Sequence, residues 1–306
     1  MGKISLLLLL LLSELCQAQL DSFPRWNEFS GHLIIKNSDT IIHHYSGLSQ
    51  LSPELMHDTN TLVNAGLFSS LFTFQIADSL QKEGKLDSSK SIQTYIETFE
   101  NTTLTVADLI NQRTGFPSHI WRLYKTEVLR GTNTFCTKSV LDNECAVDLI
   151  LNMPNLADLK QSKTSYSELN LILLVKVLEI CSFTTYEELL KKYTKAKLNN
   201  SPILTCAEGQ FINYYGEVSP MNNASQFGLP FVDLTIGHKN LYAKPEDIVA
   251  LHKDKSNIPD ISGSYGFHVE VYTQKDRTVY LFLNRQSEVE HLEADLKTYI
   301  RQHLLQ

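Results

Sequence analysis

The sequence predicts an α+β fold in which one antiparallel sheet is built from strands at both ends of the chain. Two β-rich runs near the start, 32–36 and 40–45, flank the turn residues 37–39. Two more strands are predicted near the end, at 266–271 and 278–284. The residues between these hairpins have mostly helical spacing, so a helical subdomain is expected as an insertion in the sheet.

Helices account for most of the middle of the chain. Apolar residues fall on one side of a predicted helix 67–82, which Gly84 closes. Further helices are predicted at 105–112, 169–181, 185–193 and 288–305. The segment 169–181 is apolar on nearly all sides, which predicts a helix buried inside the helical subdomain.

The N-terminal 18 residues have the features of a secretory signal peptide. Lys3 is followed by an apolar run from Ile4 to Leu12 and then by Cys16-Gln17-Ala18, with small residues at the −3 and −1 positions. The run is too short to cross roughly 30 Å of hydrocarbon. We therefore expect cleavage after Ala18, a protein that is secreted or periplasmic, and no membrane span.

The remaining residues, 19–306, are expected to form one domain in two parts, which the length of the chain permits. The sheet part is predicted at about 27–66 and 257–306. The helical part is predicted at about 86–200.

Composition and charge exclude several functions. The chain has 27 Lys and Arg against 34 Asp and Glu, a net charge of −7, and no basic cluster longer than Lys191-Lys192. Nucleic-acid binding needs a concentrated cationic surface, so no nucleic-acid partner is expected. The sequence has no glycine-rich phosphate-binding motif and no paired cysteine or histidine spacing typical of zinc, so we expect no cofactor and no metal.

Four cysteines remain after signal-peptide removal, which favours disulfides in a secreted chain. Cys136 and Cys145 bracket a polar loop and are the predicted pair. Cys181 is expected to pack as a small apolar residue, and a bond to Cys206 is the alternative. The ten histidines, including His43-His44, are interpreted as surface or strand residues.

Several segments together resemble the serine β-lactamase and penicillin-binding-protein-like family, especially its class C and esterase-like branch. They occur in the family's order over nearly the whole mature chain: Phe29-Ser30-Gly31, Phe72-Thr73 with Glu83-Gly84-Lys85-Leu86, Thr105-Val106 through Gly115-Phe116-Pro117, Tyr166-Ser167 with Tyr186-Glu187-Glu188-Leu189, Asn240-Leu241-Tyr242, and Gly266-Phe267. The resemblance implies a β-lactamase-like fold.

The activity that the resemblance implies is acyl transfer on a serine, with a lysine one helical turn later as base. In the register set by Phe72-Thr73, the serine position holds Leu67 and the lysine position holds Ser70. Neither residue can do the family's chemistry. In the second family motif Tyr166 is present, but Glu168 replaces an asparagine.

The family's third motif, a basic residue or histidine before Thr-Gly on the inner strand, falls near 260–263. There the chain has Ser262 and Gly263, and only the glycine matches. Because every catalytic position but Tyr166 differs, we expect a catalytically degenerate protein. Its predicted role is to bind a peptide, a glycan or a protein in the remnant cleft.

The alternative is an active serine hydrolase, an esterase or peptidase, with a displaced nucleophile. Ser79-Leu80-Gln81-Lys82 satisfies Ser-x-x-Lys as a string, but about three turns along the predicted helix. Ser69 or Ser70 acting with Tyr166 is a second route, which requires the pKa of the phenol to fall from about 10.

Overall fold

The computed structural model describes residues 30–37, 40–51, 54–120, 123, 140–161, 163–198, 210–212, 218–220, 232–233, 236–237, 241–252, 261–264, 267–284 and 295–304. The chain divides into two compact units. The first unit comprises 1–63, 213–217 and 260–306, and the second comprises 64–212 and 218–259.

The described residues form strands and helices in the following chain order. The strands are β1 Gly31–Lys36, β2 Ile41–Ser46, β3 Leu48–Leu51, β4 Glu54–Met56, β5 Val63–Asn64, β6 Val140–Leu141, β7 Lys197–Leu198, β8 Gln210–Ile212, β9 Val218–Pro220, β10 Val232–Asp233, β11 Leu241–Ala243, β12 Ile261–Ser264, β13 Phe267–Gln274 and β14 Arg277–Leu283. The helices are α1 Ser69–Lys82, α2 Val106–Ile110, α3 Asn143–Leu151, α4 Glu168–Ser182, α5 Tyr186–Tyr193 and α6 Pro245–Leu251.

The first unit contains a five-stranded sheet in the order β12-β13-β14-β1-β2. Every neighbouring pair in it is antiparallel. β1 lies between β14 and β2, so that Leu33 pairs with Leu281 on one side and with His44 on the other. The two ends of the chain thus form one antiparallel sheet, which confirms the predicted fold class.

One face of this sheet packs on the C-terminal segment, which is helical at 295–299 and continues as a π-turn, Ile300–Leu304. Alternate strand residues point to the same face, and those facing this segment are mostly apolar, with the buried Glu270 paired to Lys297 of the segment at 2.7 Å. The cluster consists of Leu33, Ile35, Val279, Leu281, Leu283, Leu296, Tyr299, Ile300 and Leu304. Burial of this apolar face holds the terminal segment to the sheet.

The second unit is built around α4, whose residues from Glu168 to Val175 are all buried. The helices α1, α2, α3 and α5 pack against it. Its mostly apolar sequence is therefore that of a core helix, as the sequence predicts. Among the described residues no single helix is long and apolar enough to span a membrane; α4 and α5 reach that length only as a pair bent by 82°.

Local signals explain where the helices begin. Thr105 and Thr185 are N-caps of α2 and α5, each in a capping box with the acidic residue three positions later. The helix predicted from residue 67 begins instead at Ser69, because Gly66–Phe68 forms a 3₁₀ turn with Gly66 at φ +51°. The position of Leu67 therefore lies on that turn and not on α1 itself.

Candidate functional site

The 3₁₀ turn and the first turn of α1 contain Leu67 and Ser70, the positions at which the sequence resemblance predicts the nucleophile and the base. Leu67 is half-buried. Ser70 is fully buried, and its hydroxyl donates to the Leu67 carbonyl oxygen at 2.7 Å. Ser69 is also fully buried, and its hydroxyl has no hydrogen-bond partner among the described residues. These hydroxyls are either bound to the chain's own backbone or shielded from solvent.

One turn further along α1, Thr73 connects two other parts of the second unit. Its Oγ1 lies 2.6 Å from the hydroxyl of Tyr186 on α5, and it donates to the carbonyl oxygen of Gly237 at 2.6 Å. Gly237 has φ +98°, and a Cβ there would lie 2.4 Å from Val175 Cγ2. A glycine is required for this close approach to α4. Thr73 therefore has a structural role that its place in the family motif does not reveal.

Tyr166 lies just before α4, and its hydroxyl is buried with no hydrogen-bond partner among the described groups. Burial raises the pKa of the Tyr166 phenol well above 10, and the negative charge of Glu168 raises it further. The phenolate is thus disfavoured at neutral pH. Tyr166 could act as a base only if its pKa fell from about 10, and both burial and Glu168 shift this pKa in the opposite direction.

Glu168, the first residue of α4, binds the loop that follows Phe116-Pro117. Its Oε2 accepts a hydrogen bond from the Ile120 amide at 3.2 Å, and its Oε1 accepts one from His119 Nδ1 at 3.2 Å. The Glu168 amide in turn donates to the Ser118 carbonyl oxygen at 3.0 Å. The side chain of Glu168 is 11% exposed, whereas that of His119 is 55% exposed. Sequence reasoning missed His119, which is 49 positions from Glu168.

A glutamine fixes the chain around Tyr166. Gln112, with φ +56°, accepts a hydrogen bond from the Ser165 amide at its carbonyl oxygen. Its side-chain oxygen accepts from the Ser167 amide at 2.9 Å and from Asn170 Nδ2 at 2.7 Å. Because these bonds lie on both sides of Tyr166, they determine its position at the start of α4.

The string Ser79-x-x-Lys82 lies at the end of α1. The Ser79 hydroxyl donates to the Gln75 carbonyl oxygen at 2.8 Å, within the same helix. The Lys82 ammonium binds Asp78 at 2.5 Å, and its side chain is 74% exposed. The two side chains therefore have separate partners, and this geometry does not join a nucleophile to a base.

The remaining predicted site residues belong to other elements of the chain. Ser262 and Gly263 are on β12 of the first unit, where they pair with Val269 and His268. Cys145, in the first turn of α3, is disulfide-bonded. Cys136 is outside the described residues, so the pairing of these two cysteines stays a prediction. Cys181 is a free thiol, and burial raises its pKa to about 11.

Structures with the same fold are known across nearly the length of the chain. FmtA from Staphylococcus aureus is 17% identical, with a TM-score of 0.60 over 94% of this chain and 88% of that chain. A penicillin binding protein from Bacillus halodurans is 15% identical, with a TM-score of 0.57 over 92% and 99%. A class C β-lactamase from Rhodobacter sphaeroides is 12% identical, with a TM-score of 0.58 over 94% and 98%.

Neither a protein-family model nor a curated protein sequence matches this chain. The structural likeness at these low identities concerns the fold. The chain has the serine β-lactamase and penicillin-binding-protein-like fold, which confirms the resemblance inferred from its sequence motifs.

Proposed function

We propose that this protein is a secreted, non-catalytic member of the β-lactamase-like fold that binds a peptide, a glycan or a protein partner in the remnant of the cleft. One observation carries the proposal. The nucleophile position holds Leu67. The base position holds Ser70, whose hydroxyl donates to the carbonyl oxygen of Leu67.

The chemistry explains why these two positions are decisive. Acyl transfer in this fold needs a hydroxyl and an unprotonated amine on the same helical face, so that the amine can take the hydroxyl proton. Leucine has no nucleophilic atom, and a neutral serine hydroxyl is a negligible base at pH 7. Because members of a catalytic unit act non-additively, losing the first one removes most of the rate, and later losses cost little more.

Tyr166 is a poor replacement base, since its pKa is raised and its hydroxyl is buried. Ser69 is a poor replacement nucleophile, since an acyl donor must reach the hydroxyl and this residue is 0% exposed. These two properties favour the binding function over a hydrolase that uses Ser69 or Ser70.

A fluorophosphonate probe tests the proposal, because it labels activated serines covalently without requiring a particular acyl substrate. We expect no labelling of the mature chain above the level of a heat-denatured sample. Single alanine variants at Ser69, Ser70 and Ser79 are the matched controls. Labelling of the native protein that one of these substitutions abolishes would contradict the proposal.

One specific observation favours a second candidate, a hydrolase that uses His119. A carboxylate can only accept a hydrogen bond from His119 Nδ1, so Glu168 holds the imidazole in the tautomer whose Nε2 is the basic nitrogen. A carboxylate that orients a histidine is the arrangement found in catalytic bases. The side chain of His119 is half-exposed and can be reached from solvent.

Hydrolysis of an activated ester by the wild-type chain and by a His119→Gln variant distinguishes the two candidates. The binding function predicts the same background rate for both proteins. A rate that depends on His119, together with a pH profile that follows one imidazole, would favour the hydrolase. Lys82→Gln is the matched control, because it removes a base from the Ser-x-x-Lys string alone.

Secretion is a separate part of the proposal, and it rests on the signal-peptide features of residues 1–18. Expression of the full chain in a secreting host should release a protein whose N-terminal residue is Gln19. The mass of the released protein measures this directly. A cell-retained protein that still contains residues 1–18 would contradict the proposed localisation.

A further inference from the structure

Two buried histidines form a contact in the first unit, remote in sequence from the site on α1. His32 Nε2 lies 2.9 Å from His57 Nδ1, and the two rings meet edge to face with centroids 4.7 Å apart. The residues are only 1% and 8% exposed. A neutral imidazole has one donor nitrogen and one acceptor nitrogen, so two neutral rings can form this hydrogen bond without burying a charge.

This contact attaches a hairpin to the sheet. The hairpin, β3 with β4, is followed by His57, whose amide donates to the Gly47 carbonyl oxygen at 3.1 Å. His32 lies on β1, in the middle of the sheet. Two further hydrogen bonds hold the hairpin, because Ser30 Oγ and Asn284 Nδ2 both donate to the Leu48 carbonyl oxygen, at 3.1 and 2.9 Å.

We propose that the His32–His57 contact makes the attachment of the β3–β4 hairpin pH-dependent, so that the hairpin is held at neutral pH and is released under mildly acidic conditions. A first added proton leaves one ring able to donate to the other, but it places a net positive charge in a buried site, which is costly to desolvate. A second proton leaves two cationic N–H groups facing each other at hydrogen-bond distance, and the contact cannot persist.

The groups around the pair do not remove this penalty. On β2, Tyr45 contacts His32 edge to face with centroids 4.8 Å apart, and His43 adds a like charge when it is protonated. The described carboxylate nearest in sequence is that of Asp58, which is exposed and accepts hydrogen bonds from Asn60 and Thr61. On β14 the residue paired with His32 is Phe282, which carries no charge.

The pKa values agree with the geometry. Burial, together with the smaller effects of the His57 and His43 charges, lowers the pKa of His32 to about 3, and the charge of Asp58 opposes this only in part. Burial is also the main cause that lowers the pKa of His57, against opposing effects of Asn284 and Asp58.

The sign of the pH effect follows from these directions. A histidine whose pKa is lowered in the attached state binds fewer protons there than in the released state, where its pKa is about 6.5. Attachment is therefore fully favoured above pH 6.5 and weakens as the pH falls towards 3. For His32 alone, the equilibrium constant for release rises about 25-fold between pH 7 and pH 5.

Hydrogen–deuterium exchange of the mature chain tests the proposal, with rates corrected for the intrinsic pH dependence. We expect protection of the amides at 47–57 to fall about 25-fold or more from pH 7 to pH 5, while protection of β13 and β14 changes by less than about threefold. Equal changes in both regions, or none at the hairpin, would overturn the proposal.

Two further measurements keep the test decisive. In His57→Gln the pH dependence at the hairpin should decrease, whereas His252→Gln, a half-buried histidine of the second unit, should leave it unchanged. If His57→Gln does not fold, an NMR titration of the wild-type imidazoles replaces it. A His32 pKa below 5 supports the proposal, and a value near 6.5 contradicts it.

Discussion

The two ends of helix α1 use their hydroxyl groups in different ways. Near the start, Thr73 is buried and connects α1 to Tyr186 and Gly237, which are distant in sequence. At the far end, the Ser79 hydroxyl bonds to Gln75 in the same helix, and its neighbour Lys82 pairs with Asp78 in solvent. The two residues that match the catalytic string, Ser79 and Lys82, thus have polar contacts within their own helix. The Ser-x-x-Lys spacing therefore does not by itself form a catalytic site, because Ser79 and Lys82 bind separate partners.

The largest expected effect on stability is at Thr73. Replacement by valine keeps the shape but removes the hydroxyl, leaving the Tyr186 hydroxyl and the Gly237 carbonyl without this partner in a buried region. Each unsatisfied buried group costs about 1–3 kcal/mol, so we expect Thr73→Val to lower the free energy of unfolding by about 3 kcal/mol. Urea denaturation measures this.

A double-mutant cycle with Tyr186→Phe separates the two contacts of Thr73. If Thr73 and Tyr186 are coupled, the double variant should lose clearly less stability than the sum of the two single variants. Strict additivity would mean that the contact between α1 and α5 has no energetic role.

A smaller effect is expected at Glu168. Its buried carboxylate accepts two hydrogen bonds, so Glu168→Gln should lower stability by about 2 kcal/mol. His119→Gln should cost less, since His119 is half-exposed and exposed ion pairs contribute little. Thermal unfolding of both variants compares their stabilities. An equal loss of stability would show that the hydrogen bond from the Ile120 amide to Glu168 contributes little.

Glu168→Asn, which installs the residue the family has at this position, should also destabilise the chain. The shorter side chain cannot reach both His119 and the Ile120 amide from the start of α4. The sequence predicts that Glu168→Asn increases probe labelling when it is added to the double variant Leu67→Ser with Ser70→Lys, whereas the structure adds a cost in folding. Labelling measured on folded protein separates the two effects.

The smallest effect is expected at the exposed end of α1. Ser79→Ala and Lys82→Ala should each change stability by no more than about 0.5 kcal/mol, because their contacts are local and partly exposed. Urea denaturation beside Thr73→Val makes the comparison direct. A loss at Ser79 as large as that at Thr73 would remove the distinction between the two ends.

Much of the fold could be predicted because its signals are local. In each strand hairpin, two β-rich runs flank a short run of turn residues. The pairing of β1 with β14 joins the two hairpins into the predicted sheet. The apolar character of α4 predicts its burial. The 3₁₀ turn at Gly66–Phe68 was not predicted, because a positive φ at one glycine has no periodic signature.

The site was predicted only in part, for a related reason. The register of Phe72-Thr73 assigns the family's two catalytic positions to Leu67 and Ser70; the structure has Ser70 on α1 and Leu67 on the preceding 3₁₀ turn, and the assignment itself stays a prediction. The partners of Glu168 and of His32 come from 49 and 25 positions away in the chain. Such contacts depend on the tertiary fold, and isolated histidines in a sequence give no indication of them. The sequence also predicts that Tyr166 and Ser70 lie within about 10 Å of each other, as groups in one buried cleft do. This distance stays a prediction.

The most direct test of the central claim compares acylation of the wild-type chain with that of the double variant Leu67→Ser with Ser70→Lys. Intact-protein mass after incubation with a penicillin measures the adduct. The account predicts no adduct on the wild type, and at most slow, incomplete acylation of the double variant at position 67 with no turnover. A penicillin adduct on a serine of the native wild-type protein, or ester hydrolysis by the double variant at about 1 per second or faster, would contradict it.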